Sequence, residues 1–197
     1  MSSRPVDFVR AFLRDPSGVG AVWPSSPELA RCIVDAADLA PDHVVVELGA
    51  GTGPFTGRIV ERVPRGRVIA LEPEPTLAAA CRRRHPEVEV VEAVAQDLPA
   101  LLAARGLARA DRVVSGLPFA GWPVERQEAV LSAIVAALAP EGRFVTFTYV
   151  TSPWLPAGRR AGARLRQCFA RVGTTPVVWR NVPPAFVYVC DGPRAVR

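Results

Sequence analysis

Two carboxylates and three closely spaced glycines are the residues whose placement first points to chemistry. Glu47 follows the apolar run Val44-Val45-Val46, Leu48 comes next, glycines stand at 49, 51 and 53, and Pro54-Phe55 come directly behind. A glycine-rich turn between a buried strand and a helix lets the backbone pass close to a ligand and presents main-chain N–H groups to it. Glu72 ends the next apolar run, Arg67 to Leu71, and lies 23 residues after Gly49. A carboxylate at the tip of that second strand can accept hydrogen bonds from both hydroxyls of a ribose. The dinucleotide fingerprint G-x-G-x-x-G would place its third glycine at position 54, where Pro54 stands, so the pattern is G-x-G-x-G preceded by an acid. The plain alternative is a tight strand-to-helix turn with no ligand. The order strand, acid, glycine triplet, helix, strand, acid argues for a nucleoside ligand instead.

These groups need parallel strands with helices between them. Val44 to Leu48 is a short continuous apolar run, as expected of a strand buried on both faces. Further strands are expected at Arg67 to Leu71, Val88 to Val91, Asp111 to Ser115 and Arg143 to Val150, with two more, Thr175 to Arg180 and Ala185 to Cys190, joined across Asn181, Pro183 and Pro184. Helices fall between them at about Pro54 to Val63, Pro75 to Arg84, Leu98 to Arg105, Val124 to Leu138 and Arg159 to Arg171. Ser25 or Ser26 caps an earlier helix with Pro27 in its first turn and Leu29, Ile33 and Ala36 on its buried stripe. Segment 5–14 reads as a short amphipathic helix with Val6, Val9 and Leu13 on one face, Phe8 and Phe12 beside them, and Arg10 and Arg14 one turn apart. Such a face can lie at a lipid interface; it can equally pack over the cleft as a lid. Trp23 is either a plug at the core edge or one wall of the cleft.

At 197 residues, one domain is expected, and no apolar run approaches the roughly 20 residues of a membrane-spanning helix. The N-terminus lacks a signal-peptide core, so a cytoplasmic protein is expected. Cys32, Cys81, Cys168 and Cys190 form no C-x-x-C pair, which excludes the usual zinc and disulfide frameworks, and no metal site is expected. All 24 basic side chains are arginine and the net charge is +5, which suits anionic partners such as a lipid surface or nucleic acid. The run Arg82-Arg83-Arg84 is accounted for by its place at a helix C-terminus. His43 and His85 read as structural, so no general base stands out.

Together the motifs resemble the class I S-adenosylmethionine-dependent methyltransferases. The resemblance implies a mostly parallel seven-stranded α/β sheet, Rossmann-like, with helices on both faces and a C-terminal antiparallel hairpin. Asp97, after the third strand, is the residue it implies for the adenine amino group, while a helix N-cap is its other reading. Gly116-Leu117-Pro118-Phe119 leaves the carboxyl end of the fourth strand, the edge at which ligands of open parallel sheets gather. Cofactor contacts are thus expected from Glu47, Gly49, Ala50, Gly51, Gly53, Glu72, Pro73, Gln96, Asp97 and Ser115. Acceptor and catalytic contacts are expected from Ser115, Gly116, Leu117, Pro118, Phe119 and Tyr188.

Two segments narrow the family. Phe12-Leu13-Arg14-Asp15-Pro16, Gly20-Ala21-Val22, Pro24-Ser25-Ser26 and Leu29-Ala30-Arg31 are similar to the N-terminal region of bacterial phospholipid N-methyltransferases. Val178-Trp179-Arg180-Asn181-Val182-Pro183-Pro184-Ala185, with Val187-Tyr188 behind, is similar to their C-terminal signature. That resemblance implies methyl transfer from S-adenosylmethionine to the amine of phosphatidylethanolamine and its methylated intermediates, toward phosphatidylcholine. It also implies a cytoplasmic enzyme held peripherally on the inner face of the cell membrane, its N-terminal helix on the anionic surface, with no obligate protein partner. Residues 1–197 form one methyltransferase domain on this reading, 1–38 being N-terminal helices that can act as a membrane-facing lid and 43–197 the catalytic core. Trp154-Leu155, with Arg159, Arg160 and Arg164, is a further candidate for lipid contact.

The rival is the ribosomal RNA adenine dimethylase family, whose Asn-Leu-Pro-aromatic motif this chain matches except at Gly116, where the asparagine amide is missing. Phe119 could stack on a flipped adenine. The dimethylases also carry an RNA-binding extension for which this sequence shows no counterpart, so nucleic acid is not expected as partner. A soluble small amine as acceptor, or a binding module without turnover, are the remaining readings. In each enzymatic case a neutral amine must attack the methyl carbon in line, with Phe119, Trp122 and Tyr188 as candidate faces for the developing ammonium.

Overall fold

A computed structural model describes residues 25–63 and 67–194. The amphipathic segment 5–14 and Trp23 lie outside the described residues. Seven strands form one sheet in the order β3-β2-β1-β4-β5-β7-β6. They are β1 (Val45–Leu48), β2 (Val68–Leu71), β3 (Glu89–Val91), β4 (Ala110–Ser115), β5 (Leu138–Tyr149), β6 (Phe169–Thr174) and β7 (Ala185–Pro193). The first five are parallel, whereas β7 runs antiparallel to β5 and to β6. Helices α1 (Pro27–Ala37), α2 (Thr56–Val60), α3 (Pro75–Arg84), α4 (Leu98–Ala104), α5 (Val124–Ala137) and α6 (Pro156–Cys168) connect and cover them.

Burial on both faces explains the unbroken apolar strands. All four residues of β1 are buried, and they alternate between two cores. Val46 and Leu48 join Ile69, Leu71, Val113 and Phe144 under Leu98, Leu102, Ile134 and Leu165 of α4, α5 and α6. Val45 joins Ala70, Val114, Val145 and Val187 under Leu29, Ile33, Ile59 and Cys81 of α1, α2 and α3. Chain order reverses between β1 and β4, so a crevice opens at the carboxyl ends of those two strands.

Ser26 caps α1 by accepting from Leu29 N at 3.1 Å, and the helix ends at Asp38 in the left-handed region. Glu28 lies against Arg180 (3.6 Å). The helix after β1 is shorter than its sequence suggests: Pro54 stays in the turn, and α2 covers only Thr56–Val60. Strand β5 begins at Leu138, which pairs with Ala110 ahead of a register shift.

The C-terminal hairpin is present, but its first strand is not Thr175 to Arg180. Helix α6 stops at Cys168 and passes without a loop into β6, because Phe169 is buried and stacks on Phe144 at 5.8 Å. Residues 175–184 form a connection whose one bridge among the described residues is Val178 to Ala185. Asn181 fixes that connection, its Oδ1 accepting from Ser26 N at 3.0 Å and its Nδ2 donating to Pro183 O at 2.7 Å. Among the described residues no helix is long and apolar enough to cross a membrane.

Candidate cofactor and acceptor site

The glycine loop follows β1 with positive φ at Gly49 (72°), Gly51 (56°) and Gly53 (85°). Gly53 must be glycine, since a Cβ there would lie 2.6 Å from His85 Cδ2 in a conformation L side chains rarely adopt. At Gly51, by contrast, a Cβ would meet nothing within 4 Å, so the loop faces open space where a ligand can approach the main chain.

Little of the loop's hydrogen-bonding capacity is left for that ligand. The N–H groups of Gly49 and Ala50 both donate to Leu71 O (2.8 and 3.2 Å), Gly53 N donates to Ala50 O (2.9 Å), and Gly51 N donates to Glu72 Oε2 (2.8 Å). Recognition therefore falls to side chains at the strand tips. Glu72, almost buried, is gripped at both oxygens, since Glu74 N donates to Oε1 at 3.0 Å. Pro73, just after β2, and Gln96 and Asp97, in the segment after β3, are exposed. Asp97 makes no capping hydrogen bond to α4, so its carboxylate is not consumed by the helix it precedes.

Glu47 is different. It has no exposed surface and sits under the loop, where its Oε2 accepts from Thr56 Oγ1 at 2.5 Å. Its Oε1 has no partner among the described residues. Burial pushes its carboxyl up to about 8, opposed by the Thr56 hydrogen bond and reinforced by the charge of Glu72. Burial therefore favours the uncharged form of Glu47, which braces the turn through Thr56.

The acceptor motif crosses over the loop. Gly116 N donates to Leu48 O (2.8 Å), and Ser115 Oγ accepts from Leu117 N (3.3 Å). A Cβ on Gly116 would lie 2.7 Å from the carbonyl oxygen of Gly49, so the two loops approach too closely for any side chain. Leu117 in turn fills the space beside Gly49, whose Cβ would fall 2.6 Å from Leu117 Cδ2.

The three expected aromatic faces are not available to a substrate. Phe119 is buried and packs edge-on against Trp122 (6.3 Å), and Trp122 is itself covered by the Arg126 guanidinium 3.9 Å above its ring. Tyr188 faces α6, where a Cβ on Gly162 would come 3.1 Å from its hydroxyl, and burial raises its phenol. Core packing under α5 and α6 takes all three rings. Aromatic surface on this side comes mainly from the half-buried Tyr149 at the end of β5, 5.7 Å from Phe147, which is itself buried and packs edge-on against Phe55 (6.3 Å). Phe147 and Tyr149 line a cavity of about 300 Å³ with Pro118, Gly121, Leu155 and Gly158. Among the described residues no carboxylate or imidazole lines it. The sequence offered one signal for these two residues, their place at the carboxyl end of the strand beside β4.

The crevice fits an adenosyl donor: open space at Gly51, a fixed carboxylate at Glu72, a free one at Asp97 and an apolar chamber beside Pro118. A model of the methyltransferase domain matches residues 45–142. The chain is 38% identical over 189 residues to an ornithine lipid N-methyltransferase of Singulisphaera acidiphila, covering 94% of both chains. It is 37% identical over 87 residues to a probable ribosomal RNA small subunit methyltransferase A of Methanosarcina acetivorans, covering 44% of this chain and 30% of that one. The fold is similar to the crystal structure of a precorrin-6y C5,15-methyltransferase from Geobacter metallireducens, with a TM-score of 0.62 at 20% identity, over 83% of this chain and 87% of that one.

Proposed function

The chain belongs to the S-adenosylmethionine-dependent methyltransferases, and from that membership we propose that it N-methylates the terminal amine of a membrane lipid at the bilayer surface. One observation carries the reading. The large hydrophobic side chains exposed among the described residues are Val94, Trp154, Leu155, Trp179 and Val182, and every one lies in a segment at the carboxyl edge of the sheet. Trp154 is 86% exposed and Trp179 73%, and Leu155 also lines the acceptor cavity. An apolar rim around the mouth of a ligand crevice is what a substrate held in a bilayer requires.

S-adenosylmethionine supplies an activated methyl on a sulfonium. The chain's own part is to hold donor and amine in line and to admit the amine uncharged. Glu72 holds the ribose, Asp97 the adenine, and Ser115 to Pro118 line the junction with the acceptor. The apolar cavity disfavours an ammonium by desolvation, so the amine enters as the free base that can attack. The face of Tyr149 then meets the positive charge as it develops on nitrogen.

The phospholipid signatures favour phosphatidylethanolamine as acceptor. Ornithine lipid is the second reading, favoured by a relative matched over 94% of this chain. The lid of residues 1–38 over a core of 43–197, and peripheral attachment to the inner face of the cell membrane, are parts of the same proposal. Purified protein with methyl-labelled S-adenosylmethionine and vesicles containing phosphatidylethanolamine or ornithine lipid should label lipid. Label in ribosomal RNA or a soluble amine, with none in either lipid, would overturn the reading.

A further inference from the structure

A second cavity, of about 600 Å³, lies between the start of α1, the glycine loop and the connection before β7. Three arginines from three separate elements line it: Arg58 of α2, Arg84 at the end of α3 and Arg180 of the connection. Among the described residues no carboxylate lines it. The nearest acids hold loosely at the outside, Glu61 at 3.7 Å from Arg58 and Glu28 at 3.6 Å from Arg180. Arg84 has no hydrogen bond or ion pair among the described residues. The N-terminus of the eleven-residue helix α1 adds positive potential, with Ser26 and Pro27 in the wall.

Three arginines facing one cavity, Arg58 and Arg180 each with one acid at salt-bridge distance and Arg84 with none among the described residues, suit a tetrahedral oxyanion, which Arg binds through paired N–H donors. The surroundings say where that anion comes from. Trp179 and Val182, 73% and 58% exposed, flank Arg180 and Asn181 in the chain, and the buried Asn181 amide anchors the segment to α1. Tryptophan beside arginine is the pairing found at the headgroup level of a bilayer.

We propose that this cavity is a second lipid site, separate from the acceptor cavity, where Arg58, Arg84 and Arg180 hold the phosphate of an anionic phospholipid that is bound and not methylated. The proposal rests on the reading that the enzyme works at a bilayer. The bound lipid would fix the carboxyl edge against the membrane while the acceptor cavity stays open to substrate.

The test is flotation of the full-length protein with phosphatidylcholine vesicles, with and without phosphatidylglycerol. The variant R58Q/R84Q/R180Q is compared with R31Q/R67Q/R109Q, which removes the same charge from exposed positions outside the cavity. The cavity variant should lose affinity for the anionic vesicles by up to about a hundredfold, given roughly fivefold per basic residue at an anionic membrane, and the control by far less. Equal losses in the two variants would make the effect one of net charge and overturn the site. Calorimetry with S-adenosylmethionine adds a second arm: a cavity variant that loses donor affinity but floats normally would assign the arginines to the donor and overturn the proposal. So would protection of the cavity by glycerol phosphate with no arginine-dependent vesicle binding. If wild type methylates lipid while its flotation ignores these arginines, this site falls and the proposed function stands. If wild type neither floats nor methylates lipid, both fall.

Discussion

Replacing Glu47 by Gln tests whether a neutral acid braces the donor loop. The side chain is fully buried, held by Thr56, and its carboxyl is displaced from the usual 4.5 to about 8. Below pH 4.5 the group is protonated in folded and unfolded chains alike, and it contributes no pH dependence. Between 4.5 and 8 the unfolded chain releases the proton while the folded one keeps it, so stability falls as pH rises. Above about 8 both states are ionised and the full penalty stands. At about 1.36 kcal/mol per pH unit of displacement, that penalty reaches up to about 5 kcal/mol. Gln has the same shape and no proton to lose. Urea unfolding of both proteins from pH 5 to 9 should therefore show the stability of Glu47→Gln relative to wild type rising by several kcal/mol across the range. A difference that stays constant with pH would mean that Glu47 is ionised in the folded protein, and the bracing argument would fail.

Three other substitutions probe the site and its frame. Glu72→Ala should weaken S-adenosylmethionine binding by roughly ten- to a hundredfold in calorimetry, the loss of charge-assisted hydrogen bonds of about 1.5–3 kcal/mol; unchanged affinity would remove Glu72 from the ribose. Gly116→Asn must push the Gly49 carbonyl away from a Cβ otherwise 2.7 Å from it. Donor affinity should fall and no RNA methylation should appear, whereas a gain of label in ribosomal RNA would show that Gly116 alone separates the two families. Asn181→Ala leaves Ser26 N without its acceptor, a cost of about 1–3 kcal/mol. It should lower Tm in calorimetry by roughly 3–9 °C, and an unchanged Tm would show that the tie between α1 and the connection carries no stability.

What could be read from the chain depended on how local its cause was. Val45 to Leu48 announces a doubly buried strand because every residue in it is covered, and the left-handed turns behind it need glycine whatever surrounds them. The hairpin was misplaced for a non-local reason. Thr175 to Arg180 carries the β-branched and aromatic residues of a strand, whereas Phe169 to Thr174 has an unremarkable pattern, and the stack of Phe169 on Phe144 decides between them. Phe119 and Tyr188 were correctly assigned to the edge and the sheet, but which way their rings point is set by α5 and α6. The upward shift of the Glu47 carboxyl follows from its complete burial, which composition does not reveal. Phe147 and Tyr149 had only their position on β5 to recommend them.

The acceptor chamber has a consequence for selectivity. At about 300 Å³ it has room for some ten water molecules, enough for an amine-bearing headgroup and a few methylenes but not for two fatty tails. On the proposed reading, those tails would stay behind in the leaflet throughout turnover. Discrimination between lipids would then follow the bulk and reach of the polar end, and fatty-acid length or unsaturation would register only through the fluidity of the surface on which the enzyme stands.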